Sequence, residues 1–380
     1  MKRIAVIATN EFDAFAGSEL LWSQTALRLA ESGRAVSVNV PAWPELPERM
    51  AQLARRPEVV FRQSPNHAPV WRRLVAKAAP AFVPAYFARY RERFLRQTRP
   101  DLVVISQGGC ADGADWMESC VRLGIGFVAI VHGVWDPLWP SQTLADKAAA
   151  CYPYAKAVFF VCEHNRLTAE RQLGVTLPNA RIVRNPFNAS YDVPPGWPEE
   201  DGILRLACVG RLGAENKGQD LLVEVMASPK WAARPLLVTL VGKGHHRPLL
   251  ERLIAMRGCR NVQFAGYTND LESIWRQHHA LVMPSRYEGL PVVLVEAMLC
   301  HRTAIVTDVG GNTELIEDGA TGFVAPAPTL HFVEEAMERA WVRRQEWRRM
   351  GELAGQRVRA LVPRDPVHVF VEELKAILAK

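Results

Sequence analysis

Short apolar runs rich in Val, Ile and Leu recur along the chain, separated by longer stretches of helical spacing. The runs IAVIAT (4–9), AVSVNV (35–40), DLVVIS (101–106), GFVAIVH (126–132) and AVFFVC (157–162) predict strands in the first half. LRLACVG (204–210), LLVTLVG (236–242), VQFAG (262–266), ALVMPS (280–285) and TAIVTD (303–308) do so in the second. Several show no alternation of apolar and polar positions. That pattern belongs to parallel strands covered on both faces. Helical spacing is expected over 18–32, 113–123, 218–227, 247–257 and 329–343. Strands and helices taking turns at this interval predict doubly wound α/β units.

One stretch interrupts the alternation: DVPPGWPEEDG (192–202), rich in Pro, Gly and acidic residues, reads as a linker. A chain of 380 residues suits two domains better than one core. The expected organisation is a Rossmann-like lobe over 1–191 and a second over 203–362, with a final helix in 363–380 packing back toward the first lobe. Doubly wound sheets bind ligands beyond the carboxyl ends of their strands. Two such lobes would therefore face a central cleft, and the residues just after strands become the candidates for chemistry.

Composition changes this picture only in places. No apolar run approaches a membrane span, and the opening MKRIAVIATNEFD reads as a first strand, too short for a signal-peptide core. The seven cysteines are scattered and never form Cys-x-x-Cys, which favours reduced thiols and a cytoplasmic setting over a disulfide frame or zinc site. The net charge of +6 is concentrated between Arg62 and Arg99, where Glu92 is the single acid and Trp71, Phe82, Tyr86, Phe87, Tyr90 and Phe94 are interleaved. Such a segment can lie on an anionic membrane surface or meet a phosphorylated acceptor. A solvated amphipathic helix with snorkelling arginines would read the same way. Nothing there forms a recognisable nucleic-acid module, so no nucleic-acid partner is expected.

Four clusters follow predicted strands. Gly17-Ser18 opens a helix after the first strand, where a glycine lets backbone amides approach an anion, although Gly-Ser is also a common cap. His132 ends GFVAIVHG and could donate a hydrogen bond or move a proton, or be purely structural. In VGRLGAENKG, Arg211 and Lys217 bracket the start of a helix, offering a planar fork and a point charge for phosphate oxygens. In PSRYEGLPVVLVEAM, Glu288 sits in a loop and Glu296 eight positions on, around Gly289, Leu290 and Pro291. Pro291 suits a first helical position although Val-Val-Leu-Val alone favours a strand. A helix beginning there would present the Gly289 and Leu290 amides to a phosphate.

With these residues in view, the chain resembles the retaining nucleotide-sugar glycosyltransferases of GT-B architecture, in the large family usually numbered four. The Glu288-x7-Glu296 motif, the VGRL…NKG pair, VGKG after a strand and DVGGNTELIEDGATGFV (308–324) carry the likeness, densest over 204–324. The resemblance implies that Arg211 and Lys217 bind a donor diphosphate, Glu288 the transferred sugar, Glu296 the ribose, and backbone near Tyr267 the base. It implies that His132 borders the reacting sugar and that Gly17 lets the first lobe approach the diphosphate. Two positions depart from the family pattern: Ala16-Gly17 replaces a frequent Gly-Gly, and Asn185-Pro186 a frequent Asn-Gly. The expected reaction moves a sugar from a nucleoside diphosphate to a glycan or lipid-linked acceptor in surface polysaccharide synthesis, at the inner face of a membrane. No Asp-x-Asp occurs and no His/Cys/Asp set has ligand spacing, so neither a metal nor any cofactor beyond the co-substrate is expected. An epimerase on the same scaffold, or a two-lobed nucleotide binder without chemistry, would share these features.

Overall fold

The structure, a computed structural model, describes residues 2–11, 17–64 and 82–379. It forms two compact units: Met1–Pro186 with Asp365–Lys380, and Phe187–Arg364.

The strands of the first unit are β1 (Ile4–Ala8), β2 (Val36–Pro41), β3 (Val59–Ser64), β4 (Leu102–Gln107), β5 (Phe127–Val131), β6 (Ala157–Phe160) and β7 (Ala180–Ile182). They pair in the order β3-β2-β1-β4-β5-β6-β7, every neighbour parallel. Alternate residues of each run go to opposite faces, which is why the runs are apolar throughout. Ile4, Val6, Val104 and Ile130 pack on one face with Leu21, Trp22 and Leu29 of the helix Gly17–Glu31. Ala5, Ile7, Ile105 and Val131 pack on the other with Trp116 and Met117 of the helix Ala114–Leu123. The terminal helix Pro366–Ala379 completes the first face through Val367, Phe370, Val371 and Leu374. Phe370 meets Phe159 edge to face at 5.1 Å, and Arg28 pairs with Asp365 at 2.7 Å.

The second unit repeats the plan. β8 (Leu204–Val209), β9 (Leu236–Val241), β10 (Val262–Gly266), β11 (Ala280–Met283), β12 (Thr303–Thr307) and β13 (Gly322–Ala325) pair in the order β10-β9-β8-β11-β12-β13, again all parallel. Leu206, Val238, Leu240, Val282 and Ile305 form its core with Leu222, Met226, Trp231 and Met337. In both sheets the first strand has its second to one side and its fourth to the other, so the chain reverses direction of growth beside it. The crevice beyond the carboxyl ends at that point is where such sheets hold ligands. In the second unit the turns after β8 and β11 flank it.

Three expectations change. The boundary falls at Pro186/Phe187, and 192–202 is part of the second unit rather than a free linker. The buried Arg302 guanidinium explains why: it donates to the carbonyls of Gly196, Trp275, His278 and Cys300, and lies over the Trp197 ring. Burial among carbonyls pulls its pKa down to about 10. Pro291 is the cap, with the helix running Val292–Leu299. Its β-branched start tolerates helix because Leu294 to Leu299 are all buried, so packing overrides propensity. Strands β3, β7 and β13 give no clear apolar run; β3 and β7 are edge strands with exposed positions.

Candidate donor site and its electrostatics

The turn after β8 and the loop after β11 are tied together by backbone. The Arg286 and Tyr287 amides both donate to Asn216 O, at 2.7 and 3.2 Å. Arg286 also grips Asp220 through two bonds of 2.7 Å and donates to Ala214 O at 2.6 Å. Gly218 permits this approach: its φ is +64°, and a Cβ there would stand 1.9 Å from Pro284 O.

That frame brings Lys217 and Glu288 into direct contact. Lys217 Nζ lies 2.6 Å from Glu288 Oε1, and Ser285 Oγ donates to the same oxygen at 2.7 Å. Glu288 is 7% exposed and Lys217 partly open, so the pair is shielded but reachable. Arg211 follows β8 directly; its carbonyl accepts from the Gln219 side chain at 2.8 Å and so fixes the turn. Gly289 is tied in turn to the 308–324 segment, its carbonyl accepting from the Gly311 amide at 2.7 Å. Leu290 and Pro291 are buried.

Glu296, 2% exposed on the second turn of its helix, accepts from the Asn188 amide at 2.8 Å and also from the Asn188 side chain. Burial without a cation pushes its carboxyl up to about 7, against the partial relief that Asn188 gives. No local spacing marks Asn188, which lies more than a hundred positions before Glu296. Tyr267, after β10, is exposed; its hydroxyl donates to Asn269 and its ring lies 4.8 Å from the Lys243 ammonium. A separate cavity of about 450 Å³ opens over β9 and β10, lined among others by Arg205, Thr239, Gln263 and Arg276, with no clamp residue in its wall.

In the first unit, His132 lies just past β5, buried, with Nε2 3.0 Å from Ser106 Oγ. Its Nδ1 makes no hydrogen bond to a described residue, and the nearby Asn185 side chain offsets only part of the burial. Its pKa falls to about 4, so the ring is neutral near pH 7. Gly17 begins the first helix, while 12–16 lie outside the described residues. The same helix end already carries a buried acid that sequence reasoning missed: Glu19 accepts from Asn10 at 3.1 Å and Ser18 at 2.6 Å.

The basic-aromatic segment divides. Residues 65–81 lie outside the described residues. In the helix Phe82–Thr98, Arg91 turns inward to Asp115 at 3.3 Å, and Phe94 and Leu95 join the core. Arg89, Arg93, Arg96 and Arg99 remain exposed. Among the described residues no helix is long and apolar enough to cross a membrane, and all seven cysteines are buried and none is in a disulfide.

Residues 204–341 match the family model for glycosyl transferases group 1. That segment, which carries Arg211, Lys217, Glu288 and Glu296, is where the chain is similar to the family. Alpha-D-kanosaminyltransferase of Streptomyces kanamyceticus is 37% identical over 134 residues, 34% of each chain. The amylovoran biosynthesis glycosyltransferase AmsD of Erwinia amylovora is 26% identical over 238 residues, 60% of this chain and 64% of that one. The first-named relative is thus matched over only about a third of its length. The crystal structure of Anabaena Alr3699/HepE in complex with UDP aligns over 100% of both chains with a TM-score of 0.73 at 16% identity. The apo form of the lipopolysaccharide outer core galactosyltransferase WaaB aligns with a TM-score of 0.74 at 16% identity, over 98% of this chain and 99% of that one. Those likenesses establish the GT-B fold for this chain.

Proposed function

We propose that the protein transfers a sugar from a nucleoside-diphosphate donor to an acceptor hydroxyl, with retention at the anomeric carbon. The observation that carries this reading is the Lys217–Glu288 contact of 2.6 Å beside the β8/β11 crevice, within a group 1 glycosyl transferase domain. A cation and an acid held together there suit a ligand with phosphate at one end and sugar hydroxyls at the other. UDP and UDP-glucose in the Anabaena complexes support a nucleotide-sugar donor.

In this reading the bond from the anomeric carbon to the diphosphate oxygen breaks as the acceptor oxygen bonds on the same face. The acceptor proton passes to the departing phosphate oxygen. Arg211 and Lys217 stabilise the charge that develops on the diphosphate. Glu288 accepts from a sugar hydroxyl while keeping its bond from Ser285, and Glu296 accepts from the ribose. Gly289, Leu290 and Pro291 supply backbone to the donor, and the main chain at Tyr267 meets the base. His132, neutral at pH 7, donates or accepts a hydrogen bond instead of acting as a cation. Gly17 leaves room for phosphate oxygens. Two protein cations in the metal's usual role make transfer metal-independent. The acceptor is a glycan or lipid-linked glycan, as the polysaccharide-synthesising relatives suggest, and exposed Arg89, Arg93 and Arg96 attract an anionic membrane surface.

The test is nucleotide release by the purified chain from a panel of nucleotide sugars, with and without glycan acceptors and excess EDTA. Acceptor-dependent release with an axial-to-axial or equatorial-to-equatorial product by NMR is expected. Inverted product, conversion of donor alone to an epimer, or a magnesium requirement would each remove a named part of the reading.

A further inference from the structure

The turn Gly242–His246 after β9 lies backbone to backbone on the turn after β8. Gly210 donates to Val241 O at 2.9 Å, Leu212 to Lys243 O at 3.0 Å, and His246 to Leu212 O at 3.1 Å. A Cβ at Gly244 would come within 2.3 Å of Leu212 O, so a larger residue would push the following histidines away. As built, His246 Nδ1 stands 2.9 Å from Glu215 Oε2 and His245 Nε2 3.5 Å from Glu215 Oε1. The two imidazole rings are 4.0 Å apart, and one ligand atom from each of the three residues falls within 4.8 Å of the others. Sequence spacing hides this set, since about thirty positions separate the acid from the histidines.

A second observation points to a positive ion. His246 Nδ1 accepts the Ala214 amide at 3.1 Å. A ring nitrogen that accepts that hydrogen has none to offer Glu215, so a lone pair and an anionic oxygen confront each other at 2.9 Å. An ion bound to both would take the Nδ1 lone pair in place of the Ala214 hydrogen, releasing that amide to water, and turn repulsion into ligation. Neither neighbouring lysine fills this role, because the Lys243 ammonium lies over the Tyr267 ring and Lys217 pairs with Glu288. Two imidazoles and one carboxylate suit a borderline divalent ion, whereas magnesium and calcium prefer oxygen donors. Tetrahedral zinc bonds of about 2.0–2.2 Å would set the ligand atoms roughly 3.3–3.6 Å apart. The observed spacing closes to that by small rotamer changes, which the exposed His245 and Glu215 side chains permit.

We propose that Glu215, His245 and His246 form a binding site for a divalent transition-metal ion of the zinc class, with water completing the coordination. The ion cross-links the turn after β9 to the short helix Ala214–Lys217 and is separate from the transfer chemistry.

The full chain, freed of any histidine tag, is dialysed against zinc(II), and cobalt(II) is used to read coordination by visible absorption. One equivalent of either ion per chain is expected, with zinc displacing cobalt and millimolar magnesium displacing neither. His245→Ala and Glu215→Gln should each weaken uptake by at least the roughly 10–100-fold that loss of an outer-sphere partner already costs. Both positions are exposed enough that circular dichroism should stay unchanged. No stoichiometric uptake by the native chain would mean an ordinary imidazolium–carboxylate pair and would overturn the proposal. Uptake of equal affinity in both variants would overturn it too, by placing the ion elsewhere.

Discussion

Replacing Glu296 by Gln should make the second unit more stable, and by an amount that depends on pH. The carboxyl is 2% exposed, receives hydrogen bonds from Asn188 alone and has no cation against it, so burial pushes its pKa up to about 7 from 4.5. The folded chain therefore holds this proton more tightly than the unfolded chain. Stability is full below pH 4.5 and declines as pH rises to 7, where the loss levels off. A carboxyl raised from 4.5 to about 7 costs roughly 3 kcal/mol at pH 8 and under about 1 kcal/mol at pH 5. Gln keeps the acceptor for Asn188 and removes the charge, so the variant escapes that decline. In a unit of this size the gain at pH 8 amounts to about 6–12 °C in Tm. Urea unfolding of both proteins at pH 5 and pH 8, followed by tryptophan fluorescence, measures it. The gap between variant and native midpoints should widen by about 2–3 kcal/mol across that range. An equal gap at both pH values, or a less stable variant at pH 8, would refute the burial argument. Nucleotide affinity measured by calorimetry should move the other way, because the amide replaces an anion that accepts from ribose.

Lys217→Ala should lower transfer by about a hundred- to a thousandfold with the fold intact, as loss of one preorganised charge-stabilising donor does; near-native turnover would exclude the clamp. Gly218→Ala should destabilise the second unit by more than about 1 kcal/mol in denaturant melts and also reduce transfer, since the +64° φ and the 1.9 Å approach to Pro284 O leave no room for a methyl. A histidine titration followed by NMR, assigned against His132→Gln, should place His132 near 4, so the first unit loses stability as pH falls from 6.5 through 4; a midpoint near 6.5 would show that the ring is solvated.

The sheets were legible because their strands are covered on both faces, which writes continuous apolar runs into the sequence at β1, β4, β5, β9 and β11. Edge strands β3 and β7 are exposed in part and leave no such mark. Lys217 and Glu288 were readable as charges placed after strands, whereas their direct pairing depends on Asn216 O gathering two amides, a contact blind to residue type. Asn188 escaped because more than a hundred positions separate it from Glu296. The 192–202 stretch misled by composition: Pro and Gly make it look free, yet its carbonyl at Gly196 satisfies a buried guanidinium more than a hundred positions away. Glu215 with His245 and His246 was invisible because a glycine-mediated turn, not helical or strand periodicity, draws them together.

The first unit takes its final helix from residues that follow the whole of the second. The second unit is thus an insertion in the fold of the first. During synthesis at about 5–20 residues per second, the ribosome adds Phe187–Arg364 over roughly 10–35 s before Phe370 and Leu374 emerge to cover Val6 and Phe159. The earlier-made half waits with an open apolar face while the later-made half can already close, and a fragment stopping at Pro186 would keep that face bare and tend to aggregate.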